Sequence, residues 1–147
     1  RSTLFPYTTL FRSPAGVVLI NDAYNANPSS MAEAVQGVCE AYPDGEINLV
    51  LGDMLELGGN AAAYHRETGG LINEMPRIHK IFLLGELSEN IKKAINKKEV
   101  YSASGRDELL ALINKYANDN PKTVYLFKGS RAMKLEEVYN ALRKKLD

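Results

Sequence analysis

The stretch VVLINDAYNANPSSMAEAV, Val17 to Val35, changes its period half-way along. Its first four residues are apolar and mostly β-branched, the composition of a strand buried on both faces. From Met31 onward the apolar residues Met31, Ala34, Val35 and Val38 recur at helical spacing, so one helix face packs inward. Between the two lie Asn21, Asp22, Asn25 and Asn27, with Pro28 directly after them. Asn27 suits an N-cap, and Pro28 suits the first helical position, where a missing N–H costs nothing. The stretch reads as a strand, a polar turn and a helix.

The same alternation continues to the C-terminus. INLVL, KIFLL, VYSA and TVYLF read as four more strands after VVLI. Helical stripes fall between and after them: Tyr64, Thr68, Leu71, Ile72 and Met75; Leu87, Ile91, Ala94 and Ile95; Leu109, Leu112, Ile113 and Tyr116; Leu135, Val138, Tyr139, Leu142 and Leu146. Strict β/α alternation with short connections predicts right-handed crossovers. The expected fold class is α/β: a Rossmann-like, mostly parallel sheet with helices on both faces. Ser104 with Asp107 three residues on reads as a capping box. Gly69 and Gly70 each cost a helix about 1 kcal/mol, so they mark either close packing or an early helix end.

Composition narrows the classes of function. The chain has 147 residues, 45% hydrophobic and 24% charged, which suits one domain with a proper core. Eighteen basic residues balance eighteen acidic ones, so no net field draws the chain to nucleic acid or to an anionic membrane. No apolar run approaches the roughly 20 residues that span a bilayer. The single cysteine, Cys39, rules out an intrachain disulfide and fits a cytoplasmic setting; it sits in a helical stripe as a small apolar filler.

The N-terminus stands apart. Arg1 to Ser13 lacks a helical period and has neither the basic n-region nor the h-region of a targeting peptide. Codons can be written for Thr3 to Ser13 that resemble a widely used sequencing-library adapter read in frame. Residues 1–13 are therefore expected to be an artefactual tail that contributes nothing to stability, with residues 14–147 forming the domain. The domain's own first strand is then expected to be missing, which leaves a sheet edge open for pairing with whatever is nearby, the tail included.

In an open parallel sheet, ligands bind beyond the carboxyl ends of the strands. The segments that follow the strands are NDAYNANP, GDMLELGG, GELSEN and KGSRAM, all rich in polar groups. Asp22 suits ribose hydroxyls, and a helix opened by Asn27 offers N–H groups to phosphate oxygens. Taken singly, Asp22, Asn25 and Asn27 equally suit a tight turn and a helix cap. Lys128 and Arg131 bracket Gly129 and Ser130, placing two cations beside backbone N–H groups where a carboxylate or phosphate could dock. FKGS lacks the upstream glycine of a P-loop, and no G-x-G-x-x-G occurs. His65, on the second helix, has no second ligand nearby in sequence and reads as a surface or packing residue.

NDAYNANPSSM, LGDMLELG, YHRETG and KGSRAMKLEEV, in this order and at these intervals, resemble the C-terminal domain of the Mur ligases, which build the bacterial cell wall. The resemblance runs from about Gly16 to the C-terminus. Asn25, where sister ligases tend to carry histidine, places it with the branch that adds D-alanyl-D-alanine. It implies an ATP- and Mg2+-dependent enzyme whose N-terminal and central domains lie outside this chain and bind UDP-N-acetylmuramoyl-tripeptide and most of the nucleotide. By the same resemblance Asp22 holds the ribose, Asn25 and Asn27 lie near the phosphates, and Asp53, Met54, Leu55, Lys128, Ser130 and Arg131 line the D-alanyl-D-alanine site. No catalytic residue or metal ligand is expected here, and no nucleic-acid or membrane partner. The competing expectation is a free-standing Rossmann-like module that binds a nucleotide or an acidic peptide without catalysis.

Overall fold

The computed structural model describes residues 8–117 and 120–147. Strands β1 (Thr9–Arg12), β2 (Val18–Asp22), β3 (Glu46–Gly52), β4 (Ile78–Leu84), β5 (Glu99–Ala103) and β6 (Thr123–Lys128) form one sheet in the order β1-β2-β6-β3-β4-β5. All neighbours from β2 to β5 pair parallel, and β1 alone runs antiparallel, against β2. Helices α1 (Pro28–Ala41), α2 (Ala61–Asn73), α3 (Glu89–Lys93), α4 (Arg106–Tyr116) and α5 (Leu135–Leu146) complete the order of elements.

Period-two alternation along the strands divides the core between two faces. Leu49 and Leu51 of β3 and Leu126 of β6 pack with Met31, Val35 and Val38 of α1, Ile72 of α2 and Ile91 of α3. Val50, Tyr125 and Phe127 point the other way, towards Leu109 and Ile113 of α4 and Leu135, Val138 and Leu142 of α5. Both faces are thereby sealed, and the near-continuous apolar runs of the central strands follow from that.

Where the structure describes the tail, it occupies the open edge of the sheet. Thr9–Arg12 pairs with β2 from Thr9 opposite Asn21 to Arg12 opposite Val18. A turn at Gly16, with φ at 102°, joins the two strands. Buried Ser13 clamps that turn: its N–H donates to the Val17 carbonyl at 2.8 Å, and its Oγ accepts from the Val17 N–H at 3.0 Å. Phe11 turns inward against the α5 side of the core, with the Arg143 guanidinium 4.9 Å from its ring centroid, while Leu10 stays 54% exposed. An unpaired strand edge accepts a segment that can lie extended, as TLFR does. The expectations for residues 1–7 lie outside the described residues.

Three local readings are settled by packing. Asn27 caps α1 reciprocally with Ser30, its Oδ1 accepting from the Ser30 N–H and Ser30 Oγ accepting from the Asn27 N–H. The Ser104–Asp107 box does not form: Gly105 is the N-cap of α4, and Ser104 donates its N–H and hydroxyl to Glu108 one residue further on. Gly69 marks close packing, because a Cβ there would stand 2.4 Å from the Ile91 carbonyl oxygen, and α2 runs past both glycines to Asn73.

Two outcomes follow for stability. Removing residues 1–13 strips β2 of its antiparallel partner and exposes the Phe11 side of α5, so the domain should lose about 2 kcal/mol, or about 5 °C in melting temperature. An unchanged melt would mean that β1 adds nothing. Gly69→Ala should destabilise by about 1–3 kcal/mol through the clash with Ile91, whereas Gly70→Ala, with open space around it, should stabilise by up to about 1 kcal/mol. Urea titration of the two variants checks the opposite signs.

Candidate functional site

Strands β2, β3, β4 and β6 end at Asp22, Gly52, Leu84 and Lys128, so the four polar segments converge on one edge of the sheet. β6 and β3 leave the sheet with almost no space between them. A Cβ on Gly129 would lie 2.9 Å from the Gly52 Cα, so only glycine allows the two backbones to part there.

The segments are tied to each other before any ligand arrives. Lys128 is 3% exposed and donates from Nζ to Asp22 Oδ2 at 2.8 Å and to the Asn25 carbonyl at 3.1 Å. It is therefore a buried strut and not the free cation that the sequence suggested. Ser130 donates its N–H to the Asp53 carbonyl at 3.0 Å and accepts the Leu55 N–H on Oγ at 2.8 Å, so the N–H expected to stand open at Ser130 is occupied. The buried Asp53 carboxylate accepts from the N–H and hydroxyl of Ser88 at 2.7 and 2.8 Å, and from the Leu87 N–H at 3.3 Å. Gly85, with φ at 116°, makes room for it: a Cβ there would lie 2.3 Å from that carboxylate.

Met54 is fully buried, and its N–H donates to His65 Nε2 at 3.0 Å. Since Nε2 accepts, the proton resides on Nδ1, which donates to the Ala61 carbonyl at 2.7 Å. His65 is thus a packing residue that pins the loop after β3. Cys39 is buried, and desolvation pushes its thiol up, away from a reactive thiolate.

The start of α1 offers less to a phosphate than expected. Pro28 has no N–H, the Ser30 N–H goes to Asn27, and the Met31 N–H goes to the Asn27 carbonyl, which leaves Ser29 as the open donor of that turn. Groups that do remain available are the second carboxylate oxygen of Asp22 and the Nδ2 of exposed Asn25, whose Oδ1 accepts from the Ala26 N–H. Arg131 is exposed, forms no ion pair among the described residues, and lies with its guanidinium carbon 5.2 Å from the centroid of the Tyr24 ring. No group of three His, Cys, Asp or Glu side chains among the described residues could hold a metal ion.

The profile of the Mur ligase glutamate ligase domain matches residues 8–131. The chain belongs to this family. It is 37% identical over 137 residues to the UDP-N-acetylmuramoyl-tripeptide–D-alanyl-D-alanine ligase of Bacillus subtilis, an alignment covering 90% of this chain and 29% of that protein. Among solved structures it resembles MurF of Acinetobacter baumannii, with a TM-score of 0.76 and 27% identity over 92% of this chain and 29% of that one. It likewise resembles MurF of Thermotoga maritima in complex with ADP, with a TM-score of 0.73 and 25% identity over 94% of this chain and 30% of that one. The chain therefore spans less than a third of the length of the relatives it matches.

The nine residues expected to bind ligand in this Mur ligase domain all lie at the carboxyl ends of the strands, and they divide in three. Asp53, Met54, Leu55, Lys128 and Ser130 shape that end from within, Asn27 is spent on capping α1, and Asp22, Asn25 and Arg131 keep groups facing outward. Sequence reasoning passed over Ser88, Gly85 and Tyr24. A serine four residues after a strand and an aromatic among amides were the signals, and both have commoner uses.

Asp22→Ala should cost about 3–5 kcal/mol, because it leaves the Lys128 ammonium buried without its counter-ion. Asn27→Ala, a lost cap, should cost only about 1 kcal/mol. Equal costs in chemical denaturation would mean that the ion pair is not what holds the Asp22 turn.

Proposed function

We propose that this chain is the C-terminal, substrate-closing domain of a cytoplasmic bacterial ligase that joins D-alanyl-D-alanine to UDP-N-acetylmuramoyl-tripeptide. One observation carries the reading: in a chain 37% identical over 137 residues to such a ligase, the four polar segments meet at the carboxyl ends of the strands as one interlocked surface. A free-standing binding module would need no partner surface, whereas this edge offers outward groups that complete a site only against another domain.

ATP, with Mg2+ held mainly by a central domain beyond this chain, supplies the γ-phosphoryl group that converts the tripeptide carboxylate into an acyl phosphate. The part played by this chain is to bind and orient. The free oxygen of Asp22 accepts from ribose hydroxyls, and Asn25 Nδ2 donates towards phosphate oxygens. Arg131 takes the dipeptide by its carboxylate, since the amine at the other end must be left free to attack; two parallel hydrogen bonds from a guanidinium suit that task. The tied segments behind these groups hold them in place, so little ordering remains to be done on binding.

Joining this domain to the N-terminal and central domains of the Bacillus subtilis relative should give D-alanyl-D-alanine-dependent phosphate release, whereas the chain alone should neither hydrolyse ATP nor form the amide. A well-folded chimera without turnover would refute the reading. In the active chimera, Arg131→Ala should raise KM for D-alanyl-D-alanine by roughly ten- to a hundredfold and leave KM for ATP and the UDP-tripeptide nearly unchanged. An unchanged dipeptide KM would remove Arg131 from the site.

A further inference from the structure

Among the described residues a left-handed backbone occurs at three glycines, Gly16, Gly58 and Gly85, and at two charged residues, Glu56 with φ at 63° and Lys134 with φ at 53°. A side chain in that conformation crowds the following carbonyl, so glycine fits there at less cost, and strain of this kind collects at functional surfaces. Both charged residues leave the carboxyl end of the sheet, Glu56 after β3 and Lys134 after β6. Both are exposed, with no ion pair or side-chain hydrogen bond among the described residues. Lys134 has a local account. It joins the turn Arg131–Met133 to α5, its N–H donating to the Arg131 carbonyl and its carbonyl accepting from the Glu137 N–H, each at 3.1 Å. Glu56 has none. Leu55 before it is held by Ser130 Oγ at 2.8 Å, and Leu57 after it packs against the core shared with α1 and α2. These anchors fix the bend from both sides, yet nothing within the domain calls for a carboxylate on it. The same hydrogen bond locates the group: Glu56 follows Leu55 and Arg131 follows Ser130, so the two exposed charges emerge from one rim.

We propose that Glu56 is a docking carboxylate, which accepts a guanidinium or ammonium group of the adjoining domain of the same enzyme when the two domains close. The inference rests on the ligase reading for the presence of that domain, since more than two-thirds of each relative's length lies outside this chain. A carboxylate held out by a bend that is anchored on both sides keeps its direction, so little ordering remains when the partner arrives. A cation is the partner that its charge selects, through hydrogen bonds strengthened by ionisation. The dipeptide's amino end is not that cation, because it must stay free to attack. A contact made in the closed state alone shifts the population towards closure, and the backbone strain at Glu56 is then the cost of keeping the carboxylate in place.

The test uses this chain and its chimera with the Bacillus subtilis domains. In the chain alone, Glu56→Gly and Lys134→Gly should each raise the melting temperature by about 2 °C, since each relieves a left-handed side chain. In the chimera, Glu56→Gly and Glu56→Gln should each lower kcat about tenfold and leave the dipeptide KM within about twofold of the parent, because the lost contact belongs to closure and not to ligand binding. Glu56→Asp, which keeps the charge, should recover most of the rate. Lys134→Gly should leave turnover unchanged, which separates relief of strain from loss of the carboxylate. An unchanged kcat in Glu56→Gln would overturn the inference, as would an effect confined to the dipeptide KM, which would put Glu56 on the ligand. An unchanged or lower melting temperature for Glu56→Gly would overturn it too, by showing that the side chain serves its own domain. Inactivity of the parent chimera removes the ligase reading and this inference with it, whereas an active chimera indifferent to Glu56 removes this inference alone.

Discussion

The buried pair between Lys128 and Asp22 is the constraint on which the functional edge depends. The two residues are register partners at the ends of adjacent parallel strands, and their side chains meet at 2.8 Å. A lysine that is 3% exposed would be costly alone; held by Asp22 and the Asn25 carbonyl, it turns its desolvation into a demand for one arrangement of the β2 turn. A slip of β2 against β6 by one residue would leave both charges without partners. The pair thereby couples the register of the sheet to the position of Asn25 and of the start of α1.

Beyond that pair, the edge is organised by polar groups that serve neighbouring loops. Asp53 holds the turn before α3 through Ser88, Ser130 holds the loop after β3, and His65 of α2 pins the same loop from the other side. Each of these is a buried polar group, and Asp53 and Ser130 draw their partners from segments distant in sequence. Partly satisfied, such a network would be costly; fully connected, it specifies a single geometry. The glycines at 52, 85 and 129 belong to the same logic, since they make space for the approaches that the network requires. What is left facing outward is small in number and rigidly backed, as expected of a surface that completes a site with another domain.

The edge strand shows a different principle. β1 joins the sheet through generic backbone pairing and one inward aromatic, Phe11, which lies under the Arg143 guanidinium, while Ser13 clamps the turn that follows. Its residues carry no distinctive pattern, and still the open edge of β2 recruits them. Pairing of this kind depends on what the sheet lacks, so inspection of TLFR by itself predicts nothing.

Much of the fold was written in local pattern. The change of period within Val17–Val35, repeated along the chain, determined five parallel strands, five helices and the two-faced core, because apolar burial has a geometric period that sequence displays directly. The cap at Asn27–Pro28 was equally legible, being an interaction between near neighbours. Long-range pairings were beyond its reach. That Lys128 is a strut and Arg131 a free cation, that Ser130 serves Asp53 and Leu55, and that Gly69 meets Ile91 were decided only when the strands came together. A charged or hydroxyl side chain shows its chemistry in sequence, but whether that chemistry is spent internally or offered to a ligand depends on partners as far as 106 residues away, which tertiary structure alone brings within hydrogen-bonding distance.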